Sequence, residues 1–195
     1  MARPRNMSEE ESLERALRLF WEKGYERTSL ADLTDALEVG PSSIYNAFGS
    51  KEALFGRAMM QYMETHAAFA GALLSSEEDM EAEQFATELL VGVVKLYTSK
   101  ELPQGCAMLQ GAGAGSPDDS EACAFTVGLK QGIEAAIRER LEVCRDAEGD
   151  LAATPKTLAQ FLVATMRGLS QLAVDGASRR ELLLVARHAA RSCAG

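Results

Sequence analysis

Residues 40–51, GPSSIYNAFGSK, carry side chains that could bind DNA. The segment contains serine, tyrosine, asparagine and lysine, and no carboxylate occurs from 39 to 51. Serine hydroxyls can hydrogen-bond several base edges, and asparagine can pair with adenine through two hydrogen bonds. Hydroxyl and ammonium groups also bind phosphate oxygens. These residue types therefore indicate DNA recognition, and a solvated polar helix without a partner is the alternative.

A short helix over about 41–47 must position these side chains. Pro41 suits the first helical position, where its missing N–H is not needed. A helix of barely two turns is marginal alone and has to be held by its neighbours. The helical spacing points Ile44, Ala47 and Phe48 inward. It leaves Ser42, Ser43, Tyr45 and Asn46 pointing outward.

Two helices precede this one. Ser8 with Glu11 and Ser29 with Asp32 have the spacing of capping boxes that open helices at each site. The second helix and the helix at 41–47 are joined by a short turn, which is the arrangement of a helix-turn-helix. In that arrangement the second helix of the pair enters the major groove. The residues suited to phosphate contacts are then Thr28, Ser29, Tyr45 and Lys51.

The overall charge limits how DNA could be bound. The 195 residues carry a net charge of −9, which argues against indiscriminate binding to nucleic acid. Residues 1–60 hold 8 basic and 10 acidic residues, so the N-terminal third is closer to neutral than the rest. We expect Arg3 and Arg5 to lie in an N-terminal arm that either reaches the DNA or is a solvated tail. No apolar run is long enough for a membrane span or a secretion signal, and we predict a cytoplasmic protein.

The rest of the chain is also predicted to be helical, and the fold class is all-α with about nine helices. The further helices are expected at about 51–74, 79–98, 105–114, 118–147, 155–174 and 179–193. We predict two domains, a helix-turn-helix DNA-binding domain at 1–50 and a larger helical bundle at 51–195. The widely spaced cysteines, Cys106, Cys123, Cys144 and Cys193, are expected to be free thiols.

Residues 16–55, ALRLFWEKGYERTSLADLTDALEVGPSSIYNAFGSKEALF, resemble the DNA-binding domain of the TetR/AcrR family of bacterial transcriptional regulators. The resemblance rests on LF followed by GY and TS, on L..LT.AL.V, and above all on SIYNAFGSKEALF. It implies that the third helix reads DNA, with Ser42, Ser43 and Asn46 facing bases. Gly40 departs from the serine that caps this helix in many members, although glycine is an acceptable N-cap.

The resemblance also implies a ligand-responsive repressor that binds a palindromic operator as a homodimer through its last two helices. An unknown small-molecule effector would bind within the C-terminal bundle. Candidate pocket residues are Met59, Met63, Phe69, Phe85, Tyr97, Cys106, Met108, Phe125 and Met166. Plain core packing is the alternative for these aromatic and methionine side chains.

Cys106 follows Gly105 at the predicted start of a helix, a pattern similar to one TetR subgroup. A helix N-terminus favours the thiolate, so a redox-sensing or electrophile-sensing repressor is an alternative function. A helical enzyme or carrier that retains the fold is a second alternative, without a nucleophile–base pair to support it. His66 and His188 lack metal-ligand spacing to Cys106, so we expect no metal, no cofactor and no catalysis.

Overall fold

The computed structural model describes residues 7–111, 121–144 and 151–194, and of residues 121–123 it describes the backbone alone. Arg3 and Arg5 of the predicted arm, and the side chain of Cys123, lie outside this description. The described residues form ten α-helices and no β-strand. The helices are α1 Glu9–Lys23, α2 Leu30–Leu37, α3 Pro41–Phe48, α4 Lys51–Thr65, α5 Ala68–Leu74, α6 Ala82–Tyr97, α7 Ala107–Gln110, α8 Glu121–Val143, α9 Pro155–Val174 and α10 Arg179–Arg191.

The chain divides into two compact units. The first unit is Met1–Thr65 with Ala107–Thr126, and the second unit is His66–Cys106 with Val127–Gly195. The first unit therefore contains all of α4 and α7, and it is larger than the segment 1–50. The division of functions at residue 50 remains a prediction. None of the helices in the described ranges combines the length and the apolar character that a bilayer span requires.

Local capping explains where the helices of the first unit begin. The Ser8 hydroxyl accepts from the backbone N–H of Glu11 at the start of α1. Ser29 and Asp32 form a complete capping box at the start of α2, as predicted. α3 begins at Pro41 after an extended Gly40, which offers no side-chain cap.

An aromatic cluster fills the core of the first unit. The ring of Phe20 meets that of Phe55 edge-on at 5.1 Å between centroids, and Trp21 meets Tyr62 in the same way at 5.1 Å. Further buried apolar residues come from the positions whose spacing predicted α1, namely Leu13, Ala16 and Leu17. This core is the support on which the two short helices α2 and α3 rest.

The second unit is built around α6, which packs against α5, α9 and α10. Gly92 of α6 leaves room for the ring of Phe69, because a β-carbon there would lie 2.2 Å from that ring. Arg179 ties the start of α10 to the end of α6 by donating to the hydroxyl and the carbonyl of Thr98 over 2.8 and 2.9 Å. Ser178 and Glu181 form the capping box predicted for α10.

The helix predicted at 51–74 is broken, since α4 ends at Thr65 and α5 begins at Ala68. No glycine or proline marks the break, so the sequence offered no stop signal. Within α4 the Thr65 hydroxyl donates to the carbonyl of Gln61 over 2.7 Å, a local bond that competes with helix continuation. The helix predicted at 105–114 is α7, and its described part is one turn long.

Candidate nucleic-acid interface

Helix α3, the predicted recognition helix, is held by one deeply buried residue. Ile44 is buried and Phe48 is half-buried, as predicted, while Ala47 is exposed and the prediction that it faces inward was wrong. α3 has eight residues and therefore fewer than three turns. Only two of its side chains, those of Ile44 and Phe48, face the core. Gly49 ends the helix at φ 83°, a conformation that favours glycine.

The outward face of α3 is polar and carries no acid. Ser42, Ser43 and Asn46 are exposed, and Tyr45 is 51% exposed. These four side chains are the ones that the sequence predicted to point outward. Together with the sequence gap in acids from 39 to 51, they form a surface that can approach a polyanion without charge repulsion.

The turn between α2 and α3 is fixed by Arg15 of α1. Its guanidinium donates to the carboxylate of Glu38 over 2.7 Å and to the carbonyl of Ala36 over 3.2 Å. Glu38 adopts φ 55° and ψ 35°, and it is the one non-glycine residue with positive φ in the described ranges. Left-handed backbone at a non-glycine residue is uncommon, and it lets α2 end sharply enough for α3 to start three residues later.

The start of α2 is held by an ion pair as well as by its cap. The Nζ atom of Lys23 lies 2.6 Å from Oδ1 of Asp32, and the N–H and hydroxyl of Ser29 donate to Oδ2 over 2.8 and 2.7 Å. The Lys23 bond, followed by those from Ser29, holds the pKa of Asp32 well below its usual range. Ser29 is exposed, and its hydroxyl caps α2, while its contact with phosphate stays a prediction.

Thr28 does not belong to the exposed surface, contrary to the sequence expectation. Its side chain is fully buried, and its hydroxyl donates to the carbonyl of Gly24 over 2.8 Å. A hydroxyl that is buried and already bonded cannot reach a phosphate oxygen. Its role in this structure is to close the turn between α1 and α2.

Lys51 begins α4 beside the recognition helix. Its Nζ atom lies 4.1 Å from the centroid of the Tyr25 ring, in a cation–π contact. Partial burial lowers the pKa of Lys51, while the charges of Glu26 and Glu52 oppose that change. Lys51 is half-buried, and its contact with phosphate stays a prediction.

The predicted effector positions are divided between the two units. Met59, Met63, Met108 and Phe125 belong to the first unit, and Phe85, Tyr97, Cys106 and Met166 belong to the second. Of these, Met59, Met108, Phe85, Tyr97 and Cys106 are buried. Phe125 lines a groove of about 680 Å³ together with residues of α1 and α4. Phe69, the ninth candidate, is half-buried in the second unit, and the assignment of all nine residues to one effector pocket stays a prediction.

Tyr97 and Cys106 are brought together in the core of the second unit. Both residues are buried, and burial, followed by the charge of the neighbouring Cys106, raises the pKa of Tyr97. The backbone N–H of Cys106 donates to the hydroxyl of Ser170 on α9 over 2.9 Å. Cys106 is a free thiol, as are Cys144 and Cys193.

Sequence reasoning missed three residues of these sites. Tyr25 supports Lys51, Arg15 fixes the turn before α3, and Ser170 holds the backbone at Cys106. Tyr25 stood in the GY motif and could have been singled out from it. Arg15 and Ser170 have no local signal, because each acts on a residue that is distant along the chain.

Two short helices joined by a tight turn, the second of them with an acid-free outer face, are the arrangement of a helix-turn-helix DNA-binding protein. Comparison with known proteins supports this assignment. The family model described as bacterial regulatory proteins, tetR family, matches residues 13–58. Two repressors of Escherichia coli K12 are similar over most of their length: ComR is 31% identical over 94% of this chain and 88% of its own. BdcR is 28% identical over 94% of this chain and 88% of its own.

A solved structure of CifR, a TetR-family regulator, is also similar. A cysteine-substituted form of CifR in complex with 26-base-pair operator DNA superimposes with a TM-score of 0.83 and 34% identity, covering 97% of this chain and 98% of that one. The chain therefore belongs to the TetR family of bacterial regulatory proteins. It is a DNA-binding transcriptional regulator.

Proposed function

We propose that this regulator is a ligand-responsive repressor that binds a palindromic operator as a homodimer. The observation that carries the proposal is the acid-free outer face of α3. Ser42, Ser43 and Asn46 would contact base edges, and Ser29, Tyr45 and Lys51 would bind phosphates. Thr28 is left out of this set because its hydroxyl is buried. In this proposal the protein acts in the cytoplasm. It acts by binding DNA and catalyses no reaction.

Repression is supported by the two similar proteins, because ComR and BdcR are both named transcriptional repressors. Binding to operator DNA is supported by CifR, whose similar structure holds a double-stranded operator. α3 has no basic residue and the chain carries a net charge of −9, so sequence-independent attraction to phosphates is expected to be weak. Sequence preference rather than net charge is thus expected to dominate affinity.

Dimerisation is supported by the apolar side chains that the last two helices leave exposed. They are Phe161, Leu172 and Val174 on α9 and Leu184 and Val185 on α10, with Leu184 62% exposed. Large apolar side chains exposed on both helices support an interaction site there. Gly168 lies on the exposed side of α9 and would allow a partner helix to approach closely.

The proposed DNA contacts can be tested by distinguishing residues that contact bases from residues that contact phosphates. A preferred duplex is selected from random sequences, and binding is followed by fluorescence anisotropy at one salt concentration. Ser43→Ala and Asn46→Ala should each change the base preference at one position of the duplex. The expected loss of discrimination between bases at that position is about 1–3 kcal/mol. Lys51→Ala and Tyr45→Phe should weaken binding to every sequence. Failure of the wild-type protein to prefer any duplex would refute the proposal.

A second candidate response uses the thiol of Cys106. Tyr97 and Cys106 are buried neighbours in the second unit, and an adduct on sulfur would disturb their packing and the bond from Cys106 to Ser170. An electrophile would then release the operator by shifting the protein toward a conformation that binds DNA poorly. In this reaction the thiolate forms a carbon–sulfur bond with an activated alkene, which takes up the proton at the adjacent carbon.

N-Ethylmaleimide tests this response. Release of operator by the wild-type protein should be lost in Cys106→Ser and kept in Cys193→Ser. Cys193 is a suitable control because burial raises the pKa of its thiol to about 11, which keeps it protonated near neutral pH. Release that persists in Cys106→Ser would assign the response to a non-covalent effector instead.

A further inference from the structure

The side chain of Tyr25 separates two neighbouring charges at the start of α4. Its ring face lies under the ammonium group of Lys51 at 4.1 Å. Its hydroxyl donates to Oε1 of Glu52 over 2.6 Å. Adjacent residues of opposite charge would otherwise be free to approach each other. In the described residues Lys51 makes no ion pair within 4 Å, and its ammonium rests on the ring.

Tyr25 is itself held rigidly. Its backbone N–H donates to the carbonyl of Gly111 over 2.6 Å. Its ring lies 5.0 Å from that of Phe55 and 6.0 Å from that of Phe20. Gly111 in turn packs on Phe55, since a β-carbon there would lie 3.5 Å from the ring and 2.6 Å from the carbonyl of Ala107. The ring under Lys51 is therefore a fixed support and not a mobile side chain.

A fixed support for the Lys51 side chain reduces the entropy that this side chain loses when it binds a phosphate. The lysine side chain loses considerable rotamer freedom when it is immobilised on a phosphate. A cation–π contact that already restricts it reduces this loss at the moment of binding. The Tyr25 hydroxyl also lowers the pKa of Glu52, in keeping with a carboxylate that is held in place.

We propose that Tyr25 is a positioning residue for DNA binding, whose ring holds the Lys51 ammonium ready for a phosphate. Tyr25 itself is buried and does not touch the DNA. This inference rests on the proposed phosphate contact of Lys51. It adds a residue outside α3 on which the affinity for every operator sequence depends.

The test is a double-mutant cycle read through the salt dependence of binding. Affinity for the preferred duplex is measured at several salt concentrations for wild type, Lys51→Ala, Tyr25→Leu and the double variant. Loss of one phosphate contact lowers the slope of log affinity against log salt by about 0.9 per subunit. We expect Lys51→Ala to show this full loss and Tyr25→Leu to show a clear part of it. In the Lys51→Ala background, Tyr25→Leu should have no further effect, and Tyr25→Phe, which keeps the ring, should retain the wild-type slope.

Three outcomes separate the hypotheses. If Lys51→Ala leaves the slope unchanged, the proposed phosphate contact fails and the role of Tyr25 falls with it. If Lys51→Ala lowers the slope and Tyr25→Leu does not, the positioning role alone is refuted. If Tyr25→Leu weakens binding equally with and without Lys51, the residue acts through general stability, which also refutes positioning.

A measurement on the wild-type protein covers the case in which Tyr25→Leu fails to fold. The ε-methylene protons of Lys51 lie next to the ring and should resonate upfield of other lysines in NMR spectra with ¹³C-labelled lysine. Lys51→Ala identifies the signal by its disappearance. A Lys51 signal at the position of an ordinary solvated lysine would overturn the inference.

Discussion

The hydroxyl of Thr28 donates a hydrogen bond of 2.8 Å to the carbonyl oxygen of Gly24, and the Thr28 side chain is completely buried. Gly24 ends α1 at φ 81°, and Thr28 lies two residues before α2 begins. The bond therefore closes the turn between these helices, and the position of α2 depends on it. Because α3 is attached to α2 by a short turn, the same bond contributes to the position of the recognition helix.

Replacing Thr28 should affect folding and not phosphate binding. Thr28→Val keeps the shape but leaves the Gly24 carbonyl without its donor, which costs about 1–3 kcal/mol of unfolding free energy. Thr28→Ser retains the hydroxyl and is the matched control, with a loss of about 1 kcal/mol for the buried methyl group. Urea unfolding measures both. A lowered salt slope of DNA binding in Thr28→Val, without destabilisation, would restore Thr28 as a phosphate ligand.

Two substitutions of Glu38 isolate the cost of its backbone conformation. Glu38→Ala and Glu38→Gly both remove the carboxylate that Arg15 contacts, and only glycine relieves the positive φ of 55°. Glu38→Gly should be more stable than Glu38→Ala by about 0.5–1 kcal/mol. Thermal and urea unfolding of the two variants measure this difference. Equal stabilities would show that the left-handed conformation carries no strain.

Acid should weaken the start of α2 through Asp32. A carboxylate with a lowered pKa in the folded state stabilises the protein above its unfolded pKa, near 3.9, and this contribution is lost as pH falls through the folded value. Asp32→Asn should therefore destabilise the protein at pH 7, and the difference from wild type should shrink below about pH 3.9. Urea unfolding over a pH series follows this change.

The matched control is Asp35→Asn. Asp35 is exposed on the same helix, and its side chain makes no hydrogen bond in the described part of the chain. It should cost less stability than Asp32→Asn at pH 7. A difference between wild type and Asp32→Asn that grows as the pH is lowered would contradict the role assigned to the Lys23 and Ser29 contacts.

Charge on the exposed face of α10 should separate the proposed dimer. Leu184→Glu introduces a carboxylate at a side chain that is 62% exposed, so the monomer should fold while association weakens at least about tenfold. Ala72→Glu adds the same charge at an exposed position of α5 and should leave association unchanged. Sedimentation equilibrium measures both. A Leu184→Glu protein that remains as dimeric as Ala72→Glu would move the interface elsewhere.

The elements that sequence reasoning located well are those defined by neighbouring residues. Ser29 with Asp32 and Ser178 with Glu181 cap helices three residues apart, so the starts of α2 and α10 could be predicted from the sequence. The polar face of α3 followed from spacing in the same way. The break between α4 and α5 could not be predicted, because no glycine, proline or capping side chain marks it.

The parts of the site that sequence reasoning missed depend on contacts between distant residues. Lys51 was expected to bind phosphate, but its support on Tyr25 requires the α1–α2 turn and α4 to be adjacent. Thr28, like its neighbour Ser29, was expected to bind phosphate, and only packing distinguishes the two hydroxyls. Burial of a polar residue in a turn is a tertiary property that no local pattern encodes.

The hydrogen bond from Tyr25 to Gly111 also limits how this regulator can be divided. The first unit is discontinuous in the chain, because residues 107–126 return to it after the second unit has begun. A fragment ending at Thr65 would expose the Phe55 and Met59 side chains on which Gly111 packs, and would leave the Tyr25 N–H without its acceptor. The helix-turn-helix is therefore not a self-sufficient module. A chimaera that grafts it onto another regulatory domain would have to carry α7 and Gly111 along with it.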